Sequence, residues 1–376
     1  MFDCIVVGSG PAGATASYFL AKKGHSVLLL DKVSLPRYKP CGGGVSPVIA
    51  QWFDFDFTPV IETTVNRVEF TWKLGDPVQV SLKDIEPMWM VKRDKFDYLL
   101  VQEAQKAGAQ LQDNTEVTAI AFKDNQWQVT TTNGTFNGTY LIAADGVKGK
   151  LAQWLGFKPR EEFIGATLEV PCSVEKPHQA YFDFGSLKNG YIWNFPKSDG
   201  YTISGGCFKG KNQPQEIKQQ LTNYAKELGL DLSQSQYSEY ALSLWADHQP
   251  LHTNHALLAG ESAGICDPLL GEGIRPSILT GLRAAEAIDQ ALGNDDQALA
   301  NYSQIIQKEW GADMVLASRL AGIFYQFPKV VYKVGVKRPS AAQIMAKILC
   351  GELRYSDVTE KAMQRLKKRL IPGFGG

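Results

Sequence analysis

The chain opens on a short apolar run, Phe2-Asp3-Cys4-Ile5-Val6-Val7, which breaks into Gly8-Ser9-Gly10-Pro11-Ala12-Gly13. A run of that length ended by glycine predicts a buried strand. Over 14–23 the apolar positions recur at helical spacing until Gly24 stops them, and 26–30 is a second apolar strand ending at Asp31 and Lys32. Strand, turn, helix and strand follow one another within the first 32 residues. Further on, 66–90 and 164–207 hold alternating, β-branched and aromatic runs such as Arg67-Val68-Glu69-Phe70-Thr71-Trp72, predicting one antiparallel sheet assembled from separated pieces. Asn133-Gly134 between 126–132 and 135–143 predicts a hairpin, and the same turn chemistry accounts for the Asn-Gly-Thr triplets at 133 and 137. After about residue 296 the pattern becomes helical, with candidates at 301–326 and 341–349. No internal repeat is apparent.

Composition narrows the class. The 376 residues carry 39 basic and 39 acidic side chains, so no net field recruits nucleic acid. Hydrophobic content of 44% and charged content of 21% describe a folded globular protein, and the length allows two or three lobes. The six cysteines, at 4, 41, 172, 207, 266 and 350, form no CxxC pair, which predicts reduced thiols in a reducing compartment. The N-terminus lacks a basic region followed by a long apolar stretch, and no window approaches a spanning helix. A cytoplasmic protein, with membrane association limited to surface attachment, is the expectation.

The glycine turn has specific chemistry. Gly8 allows the tight turn, Gly10 lets backbone approach a pyrophosphate, and Gly13 lets helix and strand pack closely. The helix dipole and the amides near Ala12 then meet phosphate charge. Asp31, eighteen residues beyond Gly13, is placed to grip ribose hydroxyls. Gly8, Gly10, Pro11, Ala12, Gly13, Asp31 and Lys32 are therefore candidate dinucleotide contacts. A nicotinamide dehydrogenase would continue the parallel sheet; here a turn-rich loop, 33–45, ends in Cys41-Gly42-Gly43-Gly44, a run that can lie flat against a planar ligand.

Three further segments carry a resemblance. Arg93-Asp94-Lys95-Phe96-Asp97-Tyr98-Leu99-Leu100 looks like an Arg-x-x-Phe-Asp-x-x-Leu helix start, Leu141-Ile142-Ala143-Ala144-Asp145-Gly146 like a strand and turn, and 257–274, with Gly260-Glu261 and Gly271-Glu272-Gly273-Ile274, like a second FAD fingerprint. Together these resemble the flavoprotein class that includes aromatic hydroxylases. Pro40-Cys41-Gly42-Gly43, Tyr191-Ile192-Trp193-Asn194-Phe195-Pro196 and Gly351-Glu352-Leu353-Arg354-Tyr355-Ser356-Asp357 resemble, within that class, the geranylgeranyl reductase family. The chain departs from the pattern at Glu261, where Asp is usual, and at Gly149 and Lys150, where Ser and Arg are usual; Gly205-Gly206-Cys207 matches the family's later glycines imperfectly.

The resemblance implies an α/β fold: a Rossmann-like FAD-binding domain from 1–60, 91–160 and 250–295, an antiparallel-sheet substrate domain from 61–90 and 161–249, and a helical C-terminal region over 296–376. It implies FAD held also by Cys41, Gly42, Gly43, Arg93, Gly260, Glu261, Gly271, Gly273 and Ile274. NADPH or reduced ferredoxin would supply electrons, and isoprenoid C=C bonds would be hydrogenated. Cys41, Tyr191 and Trp193 are then the candidate catalytic residues. Alternation along a strand puts Tyr191, Trp193 and Phe195 on one face as an aromatic wall for a prenyl lipid. A hydroxylase, a redox-neutral isoprenoid cyclase and a non-catalytic prenyl-chain-binding protein are the alternatives. His248, His252 and His255 read as a loop rather than a metal site, since Pro250 interrupts them. Aromatic and basic residues interleave over 322–338, and 361–369 is basic; the first suggests peripheral membrane contact.

Overall fold

The computed structural model describes residues 1–208, 210, 214–246 and 248–358; the basic tail and the rest of 359–376 lie outside them. Phe2–Val7 runs parallel to Val27–Leu30 on one side and to Gly134–Ala143 on the other. Gln110–Gln112 and Ala256–Leu258 extend this sheet, again in parallel. Central parallel strands are covered on both faces, which is why their sequences are unbroken apolar runs. The helix between the first two strands is Pro11–Lys22, three residues earlier than expected, because proline suits the first helical position. Helix Ile274–Leu292 crosses it closely enough that a Cβ on Gly281 would lie 2.3 Å from the Ala12 carbonyl oxygen. Gln126–Thr131 pairs antiparallel with Gly134–Ala143, but Thr131 faces Gly134, so Thr132 and Asn133 form the loop and Gly134 takes the positive φ of 131°.

The second sheet has seven strands in the order Gln236–Leu242, Phe163–Pro171, Gly200–Cys207, Gly190–Lys197, Gln179–Phe184, Arg67–Trp72 and Gly75–Ser81. It differs from the expected antiparallel sheet in two places. Arg67–Trp72 runs parallel to Gln179–Phe184, since no hairpin joins these distant segments to impose the opposite direction. Met88–Val91 leaves the sheet and joins Gly44–Val45 and Ile61–Val65 in a small third one. Its four residues are all buried, so the strand lacks the alternation of a half-solvated one.

Helix Pro214–Glu227 covers one side of the large sheet through Ile192, Ile203, Ile217 and Leu221. A second core joins Phe70, Phe182, Phe184 and Tyr191 to Phe324 and Tyr332 from the C-terminal helices. Those helices are Ala298–Ile306, Ala312–Gln326, the short Pro328–Val331 running into a π turn at Tyr332–Val336, and Pro339–Leu349; a wide π turn at Gln307–Gly311 separates the first two, where one helix over 301–326 was expected. Buried Trp310 in that turn donates from Nε1 to the Ile265 carbonyl at 2.8 Å.

Candidate functional site

The first turn, the loop before Gly44–Val45, strand Gly190–Lys197 and the segment 260–274 surround an open cleft. The glycines of the first turn divide the work. A Cβ on Gly8, at φ 102°, would lie 2.2 Å from the Ala144 carbonyl oxygen, and one on Gly13 would lie 1.9 Å from the Gly8 oxygen. These two are required by packing and do not border the cleft. Gly10, Pro11 and Ala12 do border it, and the nearest atom to a Cβ on Gly10 would be Arg37 Nη2 at 3.7 Å.

Asp31 and Lys32 stand outside the lining. The Asp31 carboxylate accepts from Ser9 N at 2.9 Å, from the Ser9 hydroxyl and from Val33 N at 3.1 Å, with Arg37 Nε at 3.6 Å. These bonds fix the turn. Lys32 is exposed. Arg37, which bridges Asp31 and Asp97 from above Gly10, went unnoticed in the sequence because it sits in an irregular loop.

Arg93, Gly260, Glu261, Gly271, Gly273 and Ile274 all line the cleft. Buried Arg93 donates to both Asp97 oxygens at 2.7 Å, a bidentate pair one helical turn apart. Glu261 accepts from Lys39 Nζ at 3.0 Å, so the extra methylene is anchored by a lysine no motif had singled out. Ser262 Oγ accepts from Gly146 N at 2.8 Å and donates to Asp145 Oδ1 at 2.9 Å, tying two distant turns together. Gly149 is also accounted for: a Cβ there would lie 2.0 Å from the Asp145 carboxylate.

The loop and the aromatic strand meet across the cleft. Cys41, Gly42, Gly43, Trp193 and Phe195 line it. A Cβ on Gly42 would be 2.4 Å from Trp193 Nε1, and one on Gly44 2.8 Å from the Phe195 ring. Tyr191 lines instead an adjoining cavity of about 200 Å³, almost wholly apolar, with Phe184, Leu269, Ile323, Phe324 and Met345. Phe182, Leu270 and Leu349 border both spaces. The Tyr191 hydroxyl donates to the Leu269 carbonyl at 3.2 Å, and burial pushes its pKa well up. Asp267, fully buried, is pushed up to about 6 by burial, opposed by the amides of Leu270 and Leu269 and the Tyr355 hydroxyl. The histidines have separate local partners: Gln307 for His248, Ser303 for His252 and the Thr139 carbonyl for His255.

Helices Pro11–Lys22 and Ile274–Leu292 both open onto this cleft, and glycines at their N-caps leave the terminal amides uncovered by a side chain. One open N-terminus suits a pyrophosphate and the other the electron-rich edge of a reduced isoalloxazine. With the room beside Gly10, the residues present fit FAD.

Comparison with known proteins agrees. The model of the FAD binding domain family matches residues 1–308. A digeranylgeranylglycerophospholipid reductase of Thermoplasma acidophilum is 27% identical over 82% of this chain and 84% of its own length. An uncharacterised protein of Methanosarcina barkeri is 29% identical over 86% of this chain and 84% of its own. Among solved structures, a geranylgeranyl bacteriochlorophyll reductase-like protein from Thermoplasma acidophilum superposes with a TM-score of 0.78 at 23% identity, covering 86% of this chain and 87% of that one. A variant of the flavin-dependent brominase Bmp2 superposes with a TM-score of 0.72 at 16% identity, covering 98% and 100%; both show a shared fold. With both fingerprints converging on one cleft, this chain belongs to the FAD binding domain family of oxidoreductases.

Proposed function

We propose that the protein is an FAD-dependent reductase that hydrogenates C=C bonds of an isoprenoid lipid of the geranylgeranyl type. The observation that carries this reading is the apolar cavity joined to the FAD cleft through Phe182, Leu270 and Leu349. A polar substrate gains nothing from such a lining, whereas a prenyl chain is stabilised by roughly 25 cal/mol for each Å² it buries. Curated relatives act on digeranylgeranylglycerophospholipids by name, in keeping with such a substrate.

Reduced FAD, when bound, supplies the hydride. The chain's own residues then deal with the alkene, which has no carbonyl to polarise it. Positive charge develops on one carbon, and the ring faces of Trp193 in the cleft and Tyr191 beside it stabilise a cation. Tyr191, neutral and committed to Leu269, serves through its ring. Cys41 Sγ, at the cleft edge, is our assignment for the proton donor. The cavity wall keeps water from the charged carbon. NADPH or reduced ferredoxin is the source of electrons.

Entry to the cavity also supports a membrane-bound substrate. Leu320 and Ile323 line it and are exposed, as are Phe327 and Val330 nearby, with Lys329 and Lys333 among them. No helix among the described residues is long and apolar enough to cross a membrane, so contact at the surface is the mode proposed. The test is an anaerobic incubation of the dithionite-reduced protein with geranylgeranyl lipids bearing different head groups. Products heavier by two hydrogens per bond are expected; unchanged masses across the panel would overturn the reading.

A further inference from the structure

Lys197 continues the face of the strand that carries residues 191, 193 and 195. It is 5% exposed, and no carboxylate among the described residues lies within ion-pairing distance of it. Its Nζ donates instead to two main-chain carbonyls, Gly42 at 2.7 Å and Val91 at 3.0 Å. A buried ammonium without a counter-ion is costly, and burial pushes its pKa down to about 8. The peptide whose carbonyl it holds is the one whose N–H, from Gly43, donates to Cys41 Sγ at 3.3 Å. A cation on the oxygen of a peptide strengthens the N–H at its other end, as hydrogen bonds in series polarise one another.

We propose that Lys197 is the positioning residue for Cys41: acting through the Gly42–Gly43 peptide, it fixes the thiol at the cleft edge and stabilises negative charge on its sulfur. The inference rests on the reading that Cys41 gives a proton in this cleft. When it does, the S–H bond breaks, a C–H bond forms at the alkene carbon opposite the incoming hydride, and the electron pair stays on sulfur. Solvent in the polar pocket bordered by both Cys41 and Lys197 returns the proton. Other groups acting on Cys41 are Arg93, Tyr240 and Cys266; those facing Lys197 are Glu62, Glu169 and Lys92.

The test is the rate at which iodoacetamide alkylates Cys41 in the purified FAD-bound protein, read by peptide mass spectrometry with Cys172 as internal reference. Because the thiolate is the nucleophile, Lys197→Met should slow Cys41 about five-fold at neutral pH and leave Cys172 unchanged. Lys197→Gln, which keeps two N–H donors and loses the charge, should do the same, and it supplies the comparison if the methionine variant does not fold. The difference should shrink above about pH 8, where Lys197 itself discharges. Equal Cys41 rates in wild type and Lys197→Gln, or a difference that is constant across that pH, would overturn the proposal. Alkylation does not depend on prenyl reduction, so failure here with heavier products in the lipid assay removes the role of Lys197 alone, while unchanged lipid masses remove the function.

Discussion

Gly8 and Gly10 stand two residues apart in one turn, yet a methyl group added to each meets opposite surroundings. At Gly8 it strikes the Ala144 carbonyl, just past the end of the neighbouring strand, and φ is positive. Gly8→Ala should therefore destabilise the fold by about 2 kcal/mol or more, seen as a lower urea midpoint without ligand. At Gly10 the added methyl points into the open cleft. Gly10→Ala should keep the urea midpoint and weaken FAD binding by about ten-fold, or roughly 1.4 kcal/mol, in a fluorescence titration. Sequence spacing identified both glycines because backbone geometry tolerates few substitutes there. It could not reveal that Asp31 also holds Ser9 and faces Arg37, or that Lys39 anchors Glu261, since a side chain's partner depends on where loops come to rest.

Elements follow the same logic at a larger scale. The strand carrying 191, 193 and 195 was legible through alternation, and the same alternation reaches Lys197, a signal that was present but passed over. The parallel course of Arg67–Trp72 was not legible, since direction depends on the connection and not on the strand's own residues. Between the second fingerprint and the C-terminal segment, the Tyr355 hydroxyl donates to Asp267 at 2.8 Å, joining elements 88 residues apart. Burial holds the Asp267 pKa near 6, above its ordinary 3.8, so the folded state binds a proton that the unfolded chain releases earlier. Its contribution to stability is thus fully present below about pH 4, is lost as pH rises towards 6 and is constant above that. Urea midpoints measured from pH 4 to 7 should show wild type losing about 2–3 kcal/mol relative to Asp267→Asn over that window. A flat difference would place the proton elsewhere.

For the molecule as a whole, two cores meet at a cleft that opens on one side to an apolar cavity and on the other to a polar pocket. The cavity was foreshadowed only by its aromatic strand, because its other wall comes from helices more than about 120 residues further along the chain, whose packing no local pattern encodes. Its exposed rim should bind anionic vesicles. Phe327→Asp with Val330→Asp should reduce co-sedimentation with phosphatidylglycerol vesicles by about five-fold or more, while phosphatidylcholine retains little of either protein. The most direct measurement is a single anaerobic turnover in which the reduced yellow protein is mixed with excess geranylgeranyl lipid, following flavin colour and product mass together. Return of the oxidised flavin's absorbance, matched mole for mole by lipid carrying two more hydrogens, is the expected result; colour that returns only on admitting oxygen, with the lipid unchanged or oxygenated, would contradict it.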